Sequence, residues 1–424
     1  MPSPRLTLFV LVTGLSVLLV GMGLLGTLVG VRGSIEGFDG LTIGLIMSGY
    51  YFGYVLGSYL CPRAIRGVGH IRSFAAFAAT ACATTLALGL LPTAWAWVAL
   101  RLVGGIAMFG LYMVVESWIN EQVSFSYRGR VFGLYTASTL GALAGGQFLL
   151  LAADPATLRP FAIAALFVTL GLIPIAVTRV REPQPVADPG ANLRRLYGVS
   201  PLGFQGVLVA GVASSAFWGV GAVFARDIGL DRVGIAWFLA ATIAGGAMLQ
   251  WPIGHLSDRH DRRSVLIGVS LSCGVVALLA PQTIGLGFPA LVLTAFVYGG
   301  LLFSLYSISV AHANDHLEPG RVLEATRGLL LVFGFGAIAG PTLAGAAMDW
   351  VGPAGLLLVS AAFLIALGVF GLYRVTRRAP PPLEEQTEFV PMARTTQAAV
   401  ELLPQADPEL ELDLEVPPPE HKAV

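Results

Sequence analysis

Residues 254–263 read Gly254-His-Leu-Ser-Asp258-Arg259-His-Asp261-Arg262-Arg263, a charged turn between the apolar runs 235–253 and 264–283. Each run is long enough to cross the ~30 Å hydrocarbon core of a bilayer. So short a turn, dense in aspartate and arginine, then lies at one membrane face and joins two antiparallel spanning helices. The same pattern of long apolar runs and short polar joints extends over most of the chain.

Composition supports this reading. Hydrophobic residues make up 55% of the sequence and charged ones 12%, where soluble domains carry about 25% charge. The 52 glycines suit helices that must approach closely without a hydrophobic force between them. Cys61, Cys82 and Cys273 are widely spaced in or beside apolar runs and form neither a disulfide framework nor a metal site. Apolar windows fall at 6–31, 41–62, 73–92, 95–118, 131–152, 160–179, 202–225, 235–253, 264–283, 286–311, 323–347 and 353–374. The first is too long for a signal-peptide core and shows no small-residue cleavage site, so it is read as a retained membrane helix. The long polar stretch near 180–201 separates six windows from six. The expected units are therefore an N-terminal half (1–180), a central cytoplasmic loop (181–201), a C-terminal half (202–375) and a tail (376–424).

Arginine sets the orientation. With both termini placed in the cytoplasm, eighteen arginines lie at cytoplasmic span ends, Arg327 counted among them. Four (Arg32, Arg159, Arg226 and Arg232) lie on the other side. The tail, with Pro380-Pro-Pro, Pro417-Pro-Pro and Glu409-Leu-Glu-Leu-Asp-Leu-Glu, holds after residue 379 ten acids against Arg394 and Lys422 and reads as disordered and acidic. One lysine against 24 arginines suggests a GC-rich bacterial gene.

The turn at 254–263 resembles the Gly-x-x-x-Asp-Arg-x-x-Arg-Arg signature loop of the major facilitator superfamily of secondary transporters. Arg101-Leu-Val-Gly104-Gly105 resembles that family's Arg-x-x-x-Gly motif in the fourth span, and Val114-Val-Glu116-Ser resembles a poorly characterised YcaD-like branch. The halves also repeat weakly. Leu111-Tyr112, Asn120 and Gly141-x-x-x-Gly145 find counterparts in Leu305-Tyr306, Asn314 and Gly336-x-x-x-Gly340. The resemblance implies an all-α membrane protein with the superfamily fold, twelve transmembrane helices in two pseudo-symmetric six-helix halves. Its site is then expected near the midplane between them.

The implied function is secondary active transport by alternating access, with a small amphipathic or weakly charged solute and proton coupling. The protein is expected to sit as a monomer in the lipid bilayer of a bacterial inner membrane, with no cofactor, no metal and no nucleic-acid partner. The gating loop is Gly254, Asp258, Arg259, Arg262 and Arg263. In the family its aspartate caps a helix of the other half and bonds the loop arginines, holding the outward-open state. Asp261 stands where the family has glycine, and the first-half copy at 62–72 lacks the aspartate.

Charges inside a span cost about 2.5–3.5 kcal/mol on insertion scales and need a reason. Arg101, Gly105, Met108, Tyr112 and Glu116 share one helical stripe, expected to face the cavity. Arg101 is a coupling candidate or a structural arginine bonded to neighbouring carbonyls. Glu116 is a protonatable coupling group or the partner of Arg128 or Arg130. Tyr50, Tyr54, Gln147, Trp218, Gln250 and Tyr306 complete the substrate candidates, few of them charged, as an amphipathic ligand requires. Gly49, Gly53 and Gly57 in span two and Gly336 and Gly340 in span eleven are expected to meet across the interface between halves.

Catalysis is the weaker alternative. His312 and His316 are spaced for a metal but lack the glutamate of a His-Glu-x-x-His site, and they read as a solvated helix end. No nucleophile elbow or phosphate-binding loop is present, so the chain is not expected to be an enzyme. A non-transporting sensor or scaffold acting through its tail is the other alternative.

Overall fold

The computed structural model describes residues 4–123, 128–178, 183, 190–317, 321–377, 386, 389, 395 and 396, without the side chains of residues 4, 5, 128–130, 322 and 323. The first half contributes α1 (Pro4–Ile35), α2 (Gly40–Val68), α3 (His70–Leu90), α4 (Ala94–Gln122), α5 (Arg128–Gln147) and α6 (Arg159–Val177). A short α7 (Leu193–Val199) leads into the second half. That half is α8 (Pro201–Asp227), α9 (Arg232–Arg259), α10 (Arg262–Thr283), α11 (Phe288–Asn314), α12 (Val322–Val351) and α13 (Gly355–Val375). Twelve of these, all but α7, are long and apolar enough to span a membrane.

Local chemistry sets the joints. Asp39 caps α2 by accepting from the Thr42 N–H at 2.8 Å, and Asp231 caps α9 through Gly234 N at 2.8 Å. Asp261 caps α10 through Arg263 N at 3.1 Å and pairs with the Arg263 guanidinium, also at 3.1 Å. The unusual residue of the signature loop thus starts the next helix. Between α2 and α3 the chain turns on Gly69, whose φ of +85° suits glycine.

Packing repeats between the halves. In the first, a Cβ on Gly53 would fall 1.9 Å from the Leu102 carbonyl oxygen, and one on Gly105 would fall 2.1 Å from that of Tyr50. In the second, Gly245 stands 1.8 Å on the same measure from the Phe296 oxygen, and Gly299 1.9 Å from that of Thr242. The α2–α4 and α9–α11 crossings are therefore built alike, by reciprocal glycines that bring backbones together. On the outer surface Leu166, Leu170, Ile173 and Val177 form an exposed stripe along α6. In an integral membrane protein this is the lipid-facing side.

The glycine stripes correct the expectation from sequence. Helices α2 and α12 do meet across the halves, but Gly49, Gly53 and Gly57 face Val98, Leu102 and Phe109 of α4. Gly336 and Gly340 likewise face Leu208 and Val212 of α8. The interface between halves instead uses Gly40 against Gly345, Gly44 against Pro341, and Ser48 bonded to Thr342 at 2.8 Å.

Candidate functional site

The two faces of the bundle differ. On the face away from the signature loop, Asp349 of α12 accepts from the Gly40 and Leu41 N–H groups at 2.7 and 2.8 Å. A carboxylate of one half thus sits on a helix N-terminus of the other, where unsatisfied N–H groups and the helix dipole favour negative charge. Phe148 meets Trp237 edge-on at 5.1 Å, and Arg232 donates to the Ala153 carbonyl at 3.3 Å. These contacts also join the halves and close that face.

Between the halves lies a cavity of about 250 Å³. Its walls come from α1, α2, α4 and α5 of the first half and α8 and α12 of the second, with Thr395. Four of the substrate and coupling candidates, Tyr50, Tyr54, Arg101 and Trp218, are among its lining residues. The Arg101 guanidinium lies over the Tyr50 ring at 4.4 Å, within cation–π range. Its Nη2 stands 3.6 Å from the Met47 sulfur, a weak acceptor, and its Nε has no hydrogen-bond partner among the described residues. Bonding to neighbouring backbone carbonyls, the structural alternative for this arginine, is not among the contacts found. Trp218 is held flat against Phe303, centroids 6.0 Å apart and planes 7° apart.

Other candidates lie off the cavity. Gln147 donates to the Gly23 and Leu143 carbonyls and accepts from Thr27, so its amide joins α1 to α5. Gln250 donates to Ser307 Oγ at 2.7 Å and joins α9 to α11. Tyr306 is buried against Phe333 at 5.2 Å. The stripe below Arg101 turns away from the cavity. Gly105 faces α2, and Tyr112 packs edge-on to Tyr54 at 6.5 Å. Glu116 is fully buried and accepts from the hydroxyls of Tyr135 and Thr396. The side chains of Arg128 and Arg130, its expected alternative partners, lie outside the described residues.

Arg327 is the residue that sequence reasoning missed. The sequence places it among the arginines at span ends, but it lines the cavity from α12 and is only 7% exposed. Its position near a span terminus gives no sign of this.

In the gating loop Arg262 bonds Asp258 at 2.8 Å and Asp315 at 2.6 Å, both in the second half. Asp258 also accepts from the Phe389 N–H at 2.9 Å. That donor belongs to the tail rather than to a helix of the first half. A Cβ on Gly254 would fall 2.1 Å from the Phe389 ring, so glycine is needed where the tail crosses the loop. Arg259 is exposed and Arg263 is buried on Asp261. Most of the acidic tail lies outside the described residues. Those of it that are described include Phe389, Thr395 and Thr396, and all three pack on the body, with Tyr54 Oη donating to the Thr395 carbonyl at 2.9 Å. The histidine pair also departs from a solvated helix end, since His312 is buried and stacks edge-on against His316 at 4.8 Å. Among the described residues no cluster of metal-ligating side chains occurs.

Comparisons with known proteins agree with this architecture. The family described as Major Facilitator Superfamily matches residues 203–406. An uncharacterised MFS-type transporter YcaD of Salmonella enteritidis PT4 is 24% identical over 309 residues, 72% of this chain and 80% of that protein. An uncharacterised MFS-type transporter of Enterobacter sp. strain 638 is 26% identical over 306 residues, 71% of this chain and 78% of that one. Among solved structures, a point mutant of the nucleoside transporter NupG superposes with a TM-score of 0.74 at 16% identity, covering 88% of this chain and 99% of that one. A bacterial homologue of the human lysosomal transporter Spinster, inward-facing and unoccupied, gives 0.66 at 14% identity, covering 96% of this chain and 98% of the other. The match to the Major Facilitator Superfamily model falls on the second half of the chain, and the twelve-span bundle as a whole is similar to MFS-type transporters.

Proposed function

We propose that the protein is a secondary active transporter that moves a small solute by alternating access, the halves rocking about the central cavity. The observation that carries this reading is the asymmetry of the interface. Both halves wall one buried cavity, and contacts through Asp349 hold one face shut. The signature-loop face is assigned to the cytoplasm from the arginine excess at its span ends. The conformation is then inward-facing, in a bacterial inner membrane, with both termini cytoplasmic and the protein acting as a monomer.

Proton coupling runs through Glu116 in this reading. Its carboxylate sits inside α4 between donors from α5 and the tail, where gain or loss of a proton changes which of those contacts it can keep. Arg101, on the same helix and in the cavity wall, links the site to the solute. No chemical step is needed, so no enzyme activity or cofactor is invoked.

The test is proton movement in proteoliposomes, with a pH dye inside and a panel of lipophilic cations, organic anions, amino acids and sugars outside. A pH change that follows one solute class and disappears in Arg101→Ala is the expected result. Solute flux with no accompanying proton movement would remove the coupling and leave a uniporter.

A further inference from the structure

We propose that a slot on the outer face of the first half holds one anionic phospholipid, with an acyl chain between α3 and α6, an ester carbonyl on the Trp118 indole N–H and the phosphate beside Arg72. The inference needs only that the chain spans a membrane and is independent of what it transports. The slot is about 600 Å³ and is walled by α3, α4 and α6. None of its lining residues belongs to the cavity between the halves. It exists because α3 presents Ala75, Ala78, Ala79 and Ala83 to α6, small side chains that share one helical face. Ala75, Ala79 and Ala83 are exposed, as is Ala176 of α6, so the slot opens to the lipid side marked by the apolar stripe on α6.

Length, a free donor and charge identify the occupant. On α6 the wall runs from Thr169 to Thr178, nine residues or about 14 Å of rise, against ~15 Å for the hydrocarbon of one leaflet. It starts at the face that carries the α2–α3 turn and reaches the level where Thr169 Oγ1 meets Cys82 Sγ at 3.5 Å, continuing on α3 to Leu86. A groove of that depth takes an acyl chain from one leaflet, whereas a docked spanning helix would need both. Trp118, 2% exposed, is part of the wall, and its Nε1 has no acceptor among the described residues. An unmade hydrogen bond is costly where no water can complete it, and a lipid ester supplies the missing carbonyl. Phe74 meets the Trp118 ring at 5.4 Å, so the indole stands about 3 Å of helical rise from the level of Arg72. Arg72 follows the lining residue Ile71 and lies one, two and three turns before Ala75, Ala79 and Ala83 on the same face. The exposed charges on the ends of α2, α3 and α4 here are Arg63, Arg66 and Arg72 against Glu121, a positive balance that selects an anionic head over a zwitterionic one.

The test is native mass spectrometry of the full-length protein, released from detergent after incubation with equimolar dioleoyl phosphatidylglycerol, phosphatidylethanolamine and phosphatidylcholine. Phosphatidylglycerol should be retained as a single adduct, roughly fivefold over either of the others, the factor expected of one arginine at an anionic head. Arg72→Gln should remove most of that preference and Arg72→Lys should keep it. Ala79→Phe or Ala83→Phe, both at exposed positions, should fill the slot and remove the adduct without lowering the midpoint of thermal unfolding. A diether phosphatidylglycerol, which has no ester carbonyl, should be retained less than the diester by the natural chain and equally to it by Trp118→Phe. Equal retention of the three head groups, a preference unchanged by Arg72→Gln, equal retention of diether and diester by the natural chain, or an adduct that survives both phenylalanine variants overturns the inference. So does a dimer that these variants dissociate, since a second copy would then occupy the slot. Solute flux enters none of these readouts, so failure here leaves the transporter reading intact.

Discussion

Glycines that look alike in sequence occupy very different surroundings. A Cβ on Gly53 would overlap the Leu102 carbonyl at 1.9 Å, and backbone cannot move aside as a flexible side chain can. Gly53→Ala should lower the stability of the detergent-solubilised protein by about 1–3 kcal/mol, the usual cost of overpacking, read as a lower midpoint of thermal unfolding. Gly141, by contrast, has nothing within 4 Å of its would-be Cβ. Gly141→Ala should leave that midpoint unchanged or raise it, since glycine costs a helix about 0.5–1 kcal/mol relative to alanine. Glu116 supplies a functional test at the same scale. Glu116→Gln keeps the shape and a carbonyl acceptor but cannot release a proton. It should abolish solute accumulation driven by a pH gradient while solute–solute exchange across the membrane persists. Loss of exchange as well would show that the residue is needed for folding or rocking rather than for coupling. The sequence marks Arg101 and Glu116 as charges within an apolar window, Arg101 inside it and Glu116 near its end. It cannot show their partners, since helical spacing fixes a direction relative to the helix axis and says nothing about which helix lies there. Arg327 is harder still, because an arginine near a span end reads equally well as a face residue or a wall residue.

Two aspartates act on opposite faces, and their effects should have opposite signs. Asp349 binds the N-terminus of α2 across the halves, on the face away from the signature loop. Asp349→Asn removes the charge that favours this position, a loss of about 1 kcal/mol for a helix-dipole contact. The closed form of that face should become less populated by roughly fivefold. A cysteine reporter in the cavity should then react faster with reagents added from that side. Asp258 sits on the other face, where its partners are Arg262 and the Phe389 N–H. In the outward-open state the family resemblance gives it a contact with the first half, so Asp258→Asn should shift access further toward the signature-loop side. If both variants move accessibility the same way, the two aspartates are not opposing latches. The elements themselves were largely legible in the sequence. Bilayer thickness forces long apolar runs, and aspartates such as Asp39 and Asp231 mark helix starts. The directions in which the helices face were not. The four-residue glycine repeats of α2 and α12 suggest sliding surfaces, yet they serve the tight crossings within each half. Small residues signal close approach without naming the neighbour.

At the scale of the whole molecule, the tail contacts bear on how the transporter is controlled. Thr396 bonds Glu116, the Thr395 carbonyl receives Tyr54, and Phe389 covers Gly254 beside Asp258. Two of these contacts are in the first half and one is in the second, so the tail touches both halves. Composition gave no hint of this, because a proline-rich acidic stretch has little apolar surface to bury and reads as solvated. Ending the chain after Arg377 removes every one of these contacts and leaves the twelve spans complete. The shortened protein should unfold close to the full-length temperature. Its cavity reporters should label several-fold faster from the signature-loop side, and its solute flux should rise. Unchanged labelling and flux would mean that the contacts are too weak to matter. Lost flux in a well-folded truncated protein would instead favour the sensor or scaffold alternative, in which the tail is the working part and the membrane bundle positions it.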